Sequence, residues 1–242
     1  MIPSTVWVTR RLWPGLAEFA MAFAGLVVGW VAVVALLTMI GQGPWNLAAA
    51  SLITAVGAWF YAKIGPLWGR AARDEDDDQP VVAEVLRSTT PLVPTVLMVL
   101  LGIAAALLGS IGAALLVELV GIPVEEQATV LEITTSARAN GPTVEAVVLA
   151  SSALLLAPAA EELLFRRLLF VRVAARSGRP LAYTISALAF AVVHGNPAGF
   201  IVYLWLGLVF AAVLERTGRL SAAIAVHIGN NAYVLALLFW AP

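Results

Sequence analysis

Long apolar runs dominate the chain. A helix crossing the hydrocarbon core of a bilayer needs about 20 mostly apolar residues. Residues 16–40, 47–64, 93–120, 144–171 and 222–240 meet or approach that length, with shorter runs at 181–193 and 200–214. Lipid offers no hydrogen bonds to a bare backbone, so such runs must satisfy their own amides as helices. The expected fold is therefore all-α, a polytopic transmembrane helix bundle. It has seven spans, or eight if the third run breaks at Gly109 or Gly112. Composition agrees. The 242 residues are 61% hydrophobic and only 12% charged, whereas a soluble domain carries about 25% charged residues. A formal net charge of -1 offers nothing to nucleic acid, so the expected surrounding partner is the lipid bilayer. Cysteine is absent, which excludes disulfides, thiolate metal sites and cysteine nucleophiles.

Basic residues set the expected orientation. With Arg10 and Arg11 on the cytoplasmic side, strict alternation places thirteen of the 14 basic residues on that side, and only Arg138 outside. The N-terminus is then cytoplasmic and the location a cell membrane. The apolar stretch after Arg11 is too long for a typical signal peptide and reads as an uncleaved first helix. Residues 1–142 read as N-terminal helices with an acidic loop near 70–88, and residues 143–242 as the part that carries chemistry. The acidic run at 74–78 reads as a solvated loop. Residues 123–133 read as a surface helix, and 172–180 as a turn. Gly25 and Gly29 are spaced for close helix packing.

Ionisable residues inside the spans need explaining, because each costs about 2.5–3.5 kcal/mol on insertion scales. Glu18, Glu118, Glu145 and Glu215 fall near helix ends and are expected to reach water. Glu215 and Arg219 are also spaced for a surface pair. Three clusters remain: Glu161-Glu162-Leu163-Leu164-Phe165-Arg166, Phe190-Ala191-Val192-Val193-His194, and His227-Ile228-Gly229-Asn230-Asn231. They hold the only two histidines in the chain. At a rise of 1.5 Å per residue, Glu161, His194, His227 and Asn231 all lie about 10–20 Å in from the cytoplasmic edge. Glu162 and Arg166 are four apart and can pair, which leaves Glu161 turned elsewhere. Phe190 lies one turn before His194 and can wall its ring. Pro158 is expected to kink the fourth helix and open a gap.

A carboxylate beside a histidine can activate water. A second histidine with an asparagine can supply donors to an oxyanion. Together these parts suit amide hydrolysis without a covalent nucleophile. No Gly-x-Ser-x-Gly elbow and no His-Glu-x-x-His is present. One divalent metal such as zinc stays open as an alternative, with Glu161, His194 and His227 as three ligands. Two other function classes also stay open. One is a proton-coupled transporter using the same ionisable residues, although the repeats expected of one are not seen. The other is a non-catalytic membrane scaffold or immunity protein.

The motifs EELLFR, FAVVH and HIGNN, in that order, resemble those of the CPBP family of intramembrane proteases. That family is also called the Abi or type II CAAX prenyl endopeptidase family. The resemblance runs from about Val144 to the C-terminus. It implies that Glu161 is the general base and that His194 helps hold the water. It implies that His227 and Asn231 stabilise the oxyanion, while Glu162 and Arg166 support the site. It further implies a peptide or membrane-protein substrate, cut near its C-terminus and entering laterally or from the cytoplasm. In bacteria the family is linked to peptide maturation, bacteriocin self-immunity and membrane-protein processing.

Overall fold

A computed structural model describes residues 4–41, 43–71, 91–124 and 128–240. Among these, every regular element is helical. α1 is Ser4–Ile40 and α2 is Ala49–Ala71, joined through a 3-10 turn at Pro44–Ala48. α3 is Leu92–Leu119 and α4 is Ala128–Asn140. α5 is one long helix, Val144–Ser177. α6 is Arg179–Val193, α7 is Phe200–Thr217 and α8 is Leu220–Trp240.

Among the described residues, six segments are long and apolar enough to cross a membrane: Leu12–Ile40, Pro44–Leu67, Leu92–Leu119, Val144–Ser177, Phe200–Thr217 and Leu220–Trp240. α6 forms the remaining apolar helix, at 15 residues, about 22 Å long by helical rise. That is short of the roughly 30 Å hydrocarbon core. α3 runs unbroken through Gly109 and Gly112, so no eighth span arises there. Its Leu100, Leu101, Leu108, Leu115 and Leu116 are exposed, which is a lipid-facing surface in a bilayer.

Lipid gives helices no hydrophobic reward for meeting, so close packing depends on small residues. Gly25 and Gly29 supply it between α1 and α2. A Cβ on Gly29 would come within 2.2 Å of the Ile53 carbonyl oxygen, and one on Gly25 within 2.6 Å of that of Gly57. α3 packs on α7 and α8, and α6 packs on α7.

Three local expectations differ from the fold. The turn expected at 172–180 is a single residue, Gly178. Its φ of 89° reverses the chain, so α5 continues to Ser177 and α6 begins at Arg179. The surface helix begins at Ala128, so Pro123 and Val124 precede it. Glu215 has partners on another helix, which its spacing did not predict. It reaches α6, accepting from the Tyr183 hydroxyl at 2.6 Å and pairing with Arg179 at 2.9 Å. The acidic run at 74–78 lies outside the described residues.

Glu18 also differs from expectation. It is buried, not open to water. Its carboxylate pairs with Arg176 and accepts from the Tyr61 hydroxyl. Arg172 lies 3.9 Å from it, donates to the Tyr61 carbonyl at 3.2 Å, and stacks its guanidinium 4.3 Å over the Tyr61 ring. One acid on α1 thus gathers a phenol from α2 and two arginines from the end of α5. The opposite charges make its burial tolerable. Tyr61→Phe removes one charge-assisted hydrogen bond and is expected to cost about 2 kcal/mol. Thermal unfolding in detergent reads that loss, and activity per folded molecule should be unchanged.

Candidate active site

The site starts with a backbone irregularity in α5. The helix widens to π geometry at Ser152–Leu156 and again at Glu162–Phe170, with a short α stretch, Ala157–Glu161, between. Such widened turns recur at functional sites because they free or re-aim groups that a regular helix would hold. The cause here is legible. The Ala157 N–H bonds back to the Ser152 carbonyl, and Pro158 has no N–H to offer. The Ala153 carbonyl, next in line, instead accepts the Asn231 amide of α8 at 2.9 Å. A proline in one helix thereby anchors an asparagine in another. Asn230, which is buried, donates to the Asn231 oxygen at 3.3 Å and fixes how that amide is turned.

The second π stretch carries Glu162 and Arg166, both fully buried. They pair at 3.2 Å, as their spacing predicts. Arg166 also donates to the Gly207 carbonyl of α7 at 3.4 Å. Its guanidinium lies 4.3 Å from the Phe190 ring centroid, 5.1 Å from that of Phe210 and 5.9 Å from that of Phe165. The cation therefore trades water for a carboxylate, a carbonyl and three aromatic rings. Gly207 permits this, because a Cβ there would come within 2.8 Å of the Ala187 backbone on α6.

Glu162 has a second partner that its spacing did not reveal. The His227 Nδ1 lies 3.0 Å from its other oxygen. A carboxylate accepts only, so Nδ1 is the donor. The opposite edge of the same ring faces Glu161, with Nε2 3.9 Å from Glu161 Oε2. His227 thus stands between two adjacent glutamates. Glu161 Oε2 is buried and has no hydrogen-bond partner among the described residues. In neutral His227, Nε2 is an acceptor as well. Two acceptors facing one gap call for a donor between them, and a water molecule supplies two.

His194 ends α6. Its Nδ1 donates to the Phe190 carbonyl at 2.7 Å, which leaves Nε2 as the acceptor of the neutral ring. Phe190 touches both histidines, with ring centroids 4.6 Å from His194 and 5.9 Å from His227.

The contacts thus join six of the seven residues singled out in the sequence, drawn from three helices, while Asn231 contacts Ala153 and Asn230 instead. Glu161, Glu162 and Arg166 come from α5, Phe190 and His194 from α6, and His227 and Asn231 from α8. Glu161 faces His227, and Asn231 is tied to the opposite end of the same stretch of α5. As a set of metal ligands the fit is poorer. Among the described residues, no three His, Asp or Glu side chains group as a bound ion would require. Sequence reasoning missed Tyr203 and Phe210, which stack on the two histidines. Two aromatics seven apart in an apolar helix look the same as ordinary packing.

Residues 143–233 match the family model described as type II CAAX prenyl endopeptidase Rce1-like. No curated protein and no solved structure matches the chain.

Proposed function

We propose, on the premise that residues 143–233 belong to the Rce1-like type II CAAX prenyl endopeptidase family, that the protein is an intramembrane endopeptidase. It cuts a peptide bond near the C-terminus of a membrane-associated protein or peptide. The observation that carries this reading is the gap between Glu161 and His227, where a buried carboxylate oxygen without a partner faces an imidazole nitrogen at 3.9 Å. A water held there gives a proton to Glu161 as its oxygen attacks the scissile carbonyl. His194, through Nε2, helps hold the water. As the tetrahedral intermediate forms, its oxyanion takes a donor from the second N–H of Asn231, while neutral His227, through Nε2, accepts the hydrogen that stays on the attacking oxygen. Glu161 then returns the proton to the departing amine, so the base is regenerated.

Glu162 holds His227 in register, and Arg166 balances Glu162. The site opens towards the cytoplasm in this reading, because the basic residues of the sequence gather at that end of the spans. The favoured scheme needs no metal.

Purified protein in liposomes, given quenched peptides with and without a C-terminal prenyl anchor, tests the proposal. Wild type is expected to cleave, and His194→Ala to lose about 10²-fold in turnover. A chelator should leave the rate unchanged. Loss of activity on chelation, restored by zinc, would replace the scheme with a metal-bound water on Glu161, His194 and His227. Folded wild type that cleaves neither peptide set would count against hydrolysis itself.

A further inference from the structure

Each of the two histidines has an aromatic ring lying on its face. Tyr203 stacks on His194, with centroids 3.9 Å apart and planes 21° from parallel. Phe210 stacks on His227 at 4.6 Å and 20°. Both rings come from α7, seven residues and about two helical turns apart, and so from one face. None of the sequence motifs lies on this helix.

The geometry of restraint explains why a stack matters. Each imidazole is already held at Nδ1, His194 by the Phe190 carbonyl and His227 by Glu162. A bond at one edge still lets a ring swing about that atom. A near-parallel ring against its face blocks the swing and leaves one way for Nε2 to point. We propose that Tyr203 and Phe210 are positioning residues, which set the planes of the two imidazoles and so aim both Nε2 atoms. This inference rests on the peptidase reading for its effect on rate, but the hold on the rings stands without it.

Tyr203 is the cleaner probe, because Phe210 also walls Arg166. Tyr203→Phe keeps the ring, while Tyr203→Leu keeps apolar bulk without it. The readouts are peptide turnover and ¹⁵N NMR of histidine-labelled protein. With only two histidines in the chain, His227→Gln assigns both sets of signals. Tyr203→Leu is expected to lower kcat by about tenfold to a hundredfold, with KM within about twofold, since small misplacements of reacting groups are costly. Its His194 signals should move towards averaged tautomers while those of His227 stay. Tyr203→Phe should match wild type in both readouts. Wild-type kcat and an unmoved His194 spectrum in Tyr203→Leu would overturn the proposal. An equal loss of kcat in Tyr203→Phe would also overturn it, because the hydroxyl would then be acting in chemistry. A moved His194 spectrum in a protein whose wild type cleaves no peptide would support the ring hold and overturn the peptidase reading alone.

Discussion

Glu161→Gln is expected to lower kcat by about 10³-fold, within the range that a positioned base contributes, while the melting temperature stays at the wild-type value. The two halves of this expectation have separate causes. The amide is nearly isosteric with the carboxylate, and Glu161 Oε2 makes no hydrogen bond among the described residues, so little is lost in the fold. What disappears is the carboxylate that takes a proton from water and returns it to the leaving amine. Turnover of quenched peptides in liposomes, with thermal unfolding of the same preparations, separates the two. A variant retaining more than about a tenth of wild-type kcat would remove Glu161 from the role of base. Wild-type biological function in a variant that no longer cleaves would point instead to a scaffold.

Arg166→Met is expected to cost about 3–5 kcal/mol, enough to prevent most of the protein from reaching its folded form. The buried pair is not strongly stabilising in itself, because both charges have given up water. Removing one partner is another matter. It leaves the fully buried Glu162 carboxylate with no arginine beside it. The paired change Glu162→Gln with Arg166→Met removes both charges and should recover much of the folded yield. It should not recover full turnover, because the carboxylate that orients His227 is gone. Thermal unfolding and the monodisperse yield in detergent read the first effect, and peptide turnover the second. An Arg166→Met protein with wild-type melting temperature would show that the pair contributes nothing to stability.

These two expectations differ in how far they could be read from residues alone. Glu161 stands out in the sequence because a carboxylate well inside an apolar run is expensive and must be explained. The Glu162–Arg166 pair stands out because four-residue spacing puts both on one face. His194, His227 and Asn231 are legible for similar reasons, as polar groups inside apolar helices. The spans themselves follow from length and hydropathy, since lipid leaves the backbone no alternative to a helix. The carboxylate of Glu18 carried no such signal. Its position near a helix end suggested water, and only the packing of α1 against α2 and α5 reveals Tyr61, Arg172 and Arg176 around it.

The sequence by itself determined the helical membrane architecture and which side chains could perform chemistry, because hydropathy and charge placement act locally along the chain. Tertiary structure alone decided how those side chains are aimed. His227 meets Glu162 across 65 residues of chain, and Asn231 meets Ala153 across 78. Tyr203 and Phe210 become more than packing only when α7 lies against both histidines. Such contacts depend on the register of widened helical turns and on close approaches such as Gly207 to Ala187. A register shift of one residue turns a side chain by about 100° around its helix, and no local pattern in the sequence specifies that angle across two helices at once.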